Sequence, residues 1–425
     1  MSAAPTGSDL REPGLPTPEP ARSAAEAWVA THLAGLFSGD PTGSGRFRGG
    51  QAAADAALAG YDVSGYAARR NEVAPASRRG ASALSPYIRH GLIDLPTAWR
   101  HVAGGPTKDV SKFRDELLWQ EFARHWYAQL GTRTQRGIRR ELERSESTSL
   151  GLEGFDRSMV CLDETVGELD TDGWLVNQTR MWLSSQWAVR DGWRWQDGDD
   201  VFFQHLLDGS RAANRLGWQW TTGVGSSKHY GFSRWQVEKR APGWCARCDH
   251  RHDCPIDSWP DDPEFVPVER PDAARRGPGR PDLSGPSEHV ASGEPEAVWL
   301  TAESLGVDDP AAAAHPDLPL VFVFDEPLLS QLQLSAKRLV FLVETLAELA
   351  ANRPLELYRG RPAEVLAGRQ LAVTHAPVPG FDRLRQVVEP AAVHPWRWLV
   401  EPHGGNVSSF SAWRKRGRLT VTSRA

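Results

Sequence analysis

Asp208-Gly-Ser-Arg-Ala-Ala-Asn214-Arg-Leu-Gly-Trp218-Gln-Trp220 is the stretch on which the reading of this chain turns, and Gly173-Trp174-Leu-Val-Asn177-Gln178-Thr-Arg180-Met181 precedes it. Both lie in the part of the chain between Trp119 and Trp259 that holds twelve of the 18 tryptophans. Indole is large, apolar and oxidisable, so closely packed tryptophans can pass an electron through a dry interior. Their commoner role is core packing. An arginine, an acid and an asparagine spaced as Arg180, Asp208 and Asn214 bring charge and amide chemistry into the same region.

Working outward, the tryptophan-rich segment closes on Cys245-Ala-Arg-Cys248, with Cys254-Pro255 just beyond and Cys161 upstream. No apolar signal-peptide core is visible in Met1 to Ala21, which reads as a disordered leader. No stretch reaches the roughly eighteen apolar residues of a membrane span, so a cytoplasmic protein without membrane contact is expected. Cysteines in a reducing compartment are poor disulfide material, and three within ten residues suit a metal or cluster better. The net charge of -5 gives no general pull on nucleic acid. Local basic patches remain, at Arg133, Arg136, Arg139, Arg140 and Arg144 and at Arg414, Lys415, Arg416 and Arg418, and each reads equally well as a solvated helix face.

The chain divides by pattern into a leader (1–24), a mostly helical domain (25–260), a linker (261–294) and a small α/β domain (295–425). Apolar residues recur at helical spacing over Glu26–Leu36, Gln51–Gly60, Pro96–Val102, Ser111–Leu130, Asp172–Arg190 and Asp199–Leu207. Asp199 and Asp200 suit a helix start. Residues 261–294 carry Pro, Gly, Asp and Arg with almost no large apolar side chains, which reads as a linker. Beyond them the short apolar runs Ala297–Leu300, Leu320–Phe324, Leu355–Tyr358 and Leu371–Thr374 alternate with helical stretches, the longest Ser335–Ala351. That alternation predicts β-α-β units around a parallel, Rossmann-like sheet.

The motifs resemble the photolyase/cryptochrome flavoproteins. The resemblance covers Phe47 to Pro260, and the cysteines resemble those of the bacterial iron-sulfur group. The C-terminal domain resembles the family's antenna domain, which normally comes first; here it follows the flavin domain, is short, and lacks the Arg-rich opening motif at Thr301–Gly306. The antenna pigment is left unassigned.

What the resemblance implies is specific. FAD is expected to be held by Tyr66, Ala81, Ser82, Ala83, Leu84, Ser85, Phe113, Arg180, Asp208, Gly209, Ser210 and Asn214. Hydroxyls and N–H groups entering a helix suit a diphosphate. The Arg180–Asp208 pair would lie over the flavin ring, and Asn214 would face its N5. Trp218 and Trp195 match the inner members of the electron relay, while the outermost has no tryptophan and Phe155 stands in the region before Met159. Glu116, Trp119, Gln120, Asn177, Gln178, Met181 and Trp220 match the lesion pocket, with Trp220 placed to stack on a flipped pyrimidine pair and Glu116 and Trp220 counted with the catalytic set. Gln120 and Gln178 replace arginines and Val176 a histidine, which lowers the expected affinity for phosphate. With no histidine pair in that helix, a cyclobutane dimer is the better substrate than a six-four lesion. Cys161, Cys245, Cys248 and Cys254 would ligate a [4Fe-4S] cluster; zinc is the rival, with His250 and His252 able to stand in for Cys161. The expected protein is therefore a monomeric, light-driven photo-lyase acting on UV-damaged DNA. A cryptochrome-like sensor with an unidentified signalling partner and a helical scaffold without flavin are the alternatives.

Overall fold

The computed structural model describes residues 14–143, 145–275 and 277–421; Met1–Pro13 of the expected leader and Arg144 of the first arginine cluster lie outside them. The N-terminal half is a helical array: α1 (Arg22–His32), α2 (Gln51–Ala59), α3 (Thr107–Leu130), α4 (Val160–Asp172), α5 (Asn177–Ser185), α6 (Trp195–His205) and α7 (Arg211–Thr222). The 24-residue α3 buries Val110, Phe113, Leu117, Phe122, Trp126 and Leu130, three to five residues apart, with Leu118 beside them, so an apolar stripe faces inward.

Helix α1 runs about four residues earlier than expected over Glu26–Leu36 and α3 starts four residues before Ser111; two further differences have a local reason. The helix predicted over Asp172–Arg190 is interrupted, because Gly173 takes a left-handed φ of 65° and ends α4. A new helix begins at Asn177 and relaxes into a π-helical turn over Gln186–Arg190. The helix predicted to start at Asp199 begins at Trp195 instead. Asp199 is not a cap; it lies buried inside α6 and pairs with Arg211 at 2.7 Å and Arg215 at 3.2 Å.

The C-terminal half carries the parallel sheet that the alternation predicted. Its strands are β1 (Val290–Ala291), β2 (Ala297–Leu300), β3 (Leu320–Asp325), β4 (Leu355–Gly360), β5 (Leu371–Thr374) and β6 (Ala392–His394), in the order β1-β6-β5-β2-β3-β4. Only β1 is antiparallel; β2 pairs with β3 from Val298 opposite Leu320 and with β5 from Val298 opposite Ala372. All residues of β2 and β5 are buried, as strands covered on both faces must be. The chain winds outward through β2, β3 and β4, then returns to β5 on the other side of β2. The crevice at the carboxyl ends of β2 and β5 is where such folds bind ligands, and the Thr301–Gly306 segment there is tied to the helices: Leu305 N donates to His90 O and Arg89 pairs with Glu303.

Helix α8 (Ala336–Asn352) lies between sheet and helical array. One apolar cluster runs from Phe113 and Phe122 through Phe341 to Phe322, and a second gathers Trp182, Trp187, Trp195 and Trp218 under the helical half. Parts of the expected leader and linker are fastened down. Leu15 pairs with Leu357, and Pro16 O accepts from Trp28 Nε1. Phe265–Pro267 pairs with Arg140–Leu142, Ala274 is fully buried, and Val290–Ala291 joins the sheet edge. Backbone hydrogen bonds do not need large side chains, which is why composition alone hid this order. A final short helix, α9 (Phe410–Arg414), returns to α3.

Candidate functional site

The loop Ala81-Ser82-Ala83-Leu84-Ser85 enters the short helix Ser85–Arg89. Ala83 adopts a φ of 56°, a left-handed conformation a non-glycine residue seldom takes and one that concentrates at functional loops. Trp174 Nε1 donates to Ser85 Oγ at 3.0 Å, so this loop and the start of the Gly173–Met181 motif are joined. Tyr66 packs against Phe113 with ring centroids 5.1 Å apart, and burial first, then Glu116, pushes its phenol above the usual range. Glu116 is held by Lys112 at 2.9 Å. Tyr66, Phe113 and Glu116 therefore meet.

Arg180 Nη2 donates to Asp208 Oδ2 at 2.7 Å, and its Nε donates to Leu175 O at 3.1 Å. Asp208 Oδ1 and Asn214 Nδ2 are buried with no hydrogen-bond partner among the described residues. Buried polar atoms are nearly always paired, and an orphan calls for an explanation such as a ligand. Ser210 stands at the N-cap of α7 without bonding the helix through its side chain. An acceptor and a donor left open beside an ion pair and a helix N-terminus make a donor set that fits a flavin dinucleotide.

Trp218 and Trp195 are both 1% exposed. Phe202 meets Trp218 edge-on at 5.1 Å, and Trp195 Nε1 donates to Glu141 Oε1 at 2.9 Å. Gly198 makes room for Trp218: a Cβ there would lie 2.2 Å from the indole. Phe155 touches Trp187 at 5.1 Å, a fully buried indole that the motifs did not single out.

The residues matched to a lesion pocket are not all open to a substrate. Trp220 is 46% exposed and neighbours Tyr230 at 6.0 Å, with Trp259 a further 6.4 Å on. Asn177 is exposed, and Gln120 and Met181 are half-buried. Gln178 is buried, and its amide donates to Tyr230 Oη at 2.6 Å, a bond joined by Gln236 at 2.8 Å. Trp119 is covered by Phe410 of α9, stacked at 4.0 Å with an interplanar angle of 12°. Sequence reasoning missed Phe410, because 291 residues separate it from its partner and no local pattern links them.

All four cysteines line one cavity, together with Met159, Trp244 and His250. Burial pushes the Cys161 thiol up to about 12, and Cys245, Cys254 and Cys248 add to the shift, so the four sulfurs sense one another. Among the described residues no three His, Cys, Asp or Glu side chains converge as one metal ion would require. His250 Nε2 faces Ser158 Oγ at 3.0 Å and its Nδ1 lies 3.5 Å from Asp253, while His252 is exposed and outside the cavity.

Fold and site together define a helical flavin-type domain with an α/β partner. Residues 113–241 match the family described as FAD binding domain of DNA photolyase. The chain is 30% identical to the deoxyribodipyrimidine photo-lyase of Thermus thermophilus over 50% of its own length and 45% of that protein, and 28% identical to that of a Synechococcus over 40% and 36%. A Synechocystis cryptochrome shares 20% identity at a TM-score of 0.43, covering 51% of this chain and 50% of that one. Within the helical half, residues 113–241 are thus similar to the FAD-binding domain of DNA photolyases. The chain spans less than half the length of these curated relatives.

Proposed function

We propose that this protein binds FAD between the 81–85 loop and α7 and uses it in light-dependent repair of pyrimidine dimers in UV-damaged DNA. The observation that carries this reading is the half-buried Arg180 paired with buried Asp208, with Asp208 Oδ1 and Asn214 Nδ2 left open, inside the segment that matches the photolyase flavin domain. FAD bound there supplies a photo-excitable one-electron donor, which is what splitting a cyclobutane ring requires. Arg180 favours negative charge on the ring, and Asp208 keeps that arginine oriented. Buried Trp218 and Trp195 exclude water around the flavin, and exposed Trp220 offers a stacking face to an extruded base. The Cys161, Cys245, Cys248 and Cys254 thiolates hold a [4Fe-4S] cluster: a four-iron cube spaces its ligands more widely than a single ion does, and His250 is already engaged elsewhere. The protein acts as a cytoplasmic monomer.

Two observations favour a second reading, a blue-light sensor without repair: Phe410 covers Trp119, and Gln178 is tied to Tyr230. Purified protein should be yellow, and irradiated DNA carrying cyclobutane dimers should be reverted in blue light. Yellow protein that leaves the dimers intact supports the sensor, and protein that refuses FAD leaves only a helical scaffold.

A further inference from the structure

Among the cations by which the α/β half reaches into the helical half, one lies beside the Asp208 turn. Arg338, in the first turn of α8, is 5% exposed. Its Nη1 donates to Phe203 O and its Nη2 to Gly209 O at 3.3 Å, while Nε has no partner among the described residues. Gly209 O also accepts from Arg89 Nε at 2.8 Å. Two guanidinium groups thus converge on the carbonyl between Asp208 and Ser210. Their approach is close: a Cβ on Gly209 would stand 2.9 Å from Arg338 Nη1 and 2.8 Å from Leu206 O. The face of Phe203 carries Arg338 at 4.9 Å and Arg211 at 4.1 Å, which fixes the guanidinium plane. Burial, with Arg89 and Arg211 adding to it, holds the Arg338 guanidinium below its usual range, and Asp208 opposes that shift.

We propose that Arg338 is a positioning residue for the flavin, holding the Asp208-Gly209-Ser210 turn from the second domain, so that the α/β half is a built part of the cofactor site. The inference rests on the FAD reading above. It gives the shortened domain a role that needs no pigment. An Arg–carbonyl bond shared with Arg89 sets where Asp208 Oδ1 and Ser210 point, and the added positive charge favours reduced, anionic flavin.

Three variants test it in the full chain. Arg338→Met should release FAD roughly ten- to a hundredfold faster, the loss expected for one buried charged hydrogen bond. It should also move the flavin midpoint to more negative potential and raise amide exchange at residues 209–211 in protein stripped of flavin. Arg338→Lys, which keeps the charge, should restore the potential more fully than the retention. Glu348→Gln, which loosens the same interface about 15 Å further along α8, should change none of these. Wild-type release and exchange rates in Arg338→Met, or equal effects from Glu348→Gln, overturn the inference. If the wild type takes up no FAD the flavin reading falls, and the exchange rates still decide whether Arg338 fixes the turn.

Discussion

Glu121 is fully buried on α3, where its Oε1 accepts from the backbone N–H groups of Leu399 and Val400. Burial raises its carboxyl to about 7 against an ordinary 4.5, with Arg124 opposing the shift. An acid whose folded pKa is raised binds more protons when folded than unfolded between those two values. Stability from this group is therefore complete below about pH 4.5 and lost as pH rises through 7. A pH series of melting temperatures checks the sign: wild type should fall relative to Glu121→Gln between pH 4.5 and 7, and a constant gap would refute it. The Arg180–Asp208 pairing was legible at this scale because each partner sits in a short motif of its own, Gly173–Met181 and Asp208–Trp220. Gln178 was legible only as a lost arginine, since its bond to Tyr230 crosses 52 residues.

At the scale of elements, the tail after β6 behaves as a strap on α3. Trp413 is 1% exposed against Phe122 and His125, and Phe410 lies flat on Trp119. Phe410→Ala should cost about 1–3 kcal/mol, since the ring is only half-buried, and should open Trp119 to solvent. Acrylamide quenching of tryptophan fluorescence should rise, and so should affinity for irradiated DNA if α3 faces the lesion; unchanged quenching would show that the stack does not shield Trp119. The strands β2, β3 and β5 were readable because buried parallel strands are continuous apolar runs. The strap was not, because Ala-Trp-Arg-Lys-Arg around Trp413 reads locally as a charged surface helix. Asp199 misled for a related reason: an acid that looks like a helix start from sequence proves to be the partner of two distant arginines.

For the whole molecule, the cysteine cavity closes the far end of the tryptophan-lined core by bringing Cys161, at the start of α4, to the Cys245–Cys254 loop. Purified, anaerobically handled protein should carry about four iron atoms per chain, and Cys161→Ser should lose them, with a lower melting temperature. Zinc found instead, or iron unchanged in the variant, would exclude the cluster. The two-part layout was legible from the change in apolar period near residue 295, whereas the continuity of the core across it was not: it depends on Phe341 of α8 meeting Tyr87 and His90 from the other half of the sequence.

That continuity also has a history in time. Arg22, in the first helix, finds Glu344 at 3.0 Å across 322 residues. At roughly 5–20 residues per second the ribosome needs about 16–64 s to supply the second partner. Until then the emerging polypeptide has a bare apolar flank where α8 would pack, and chaperones have that interval in which to shelter it.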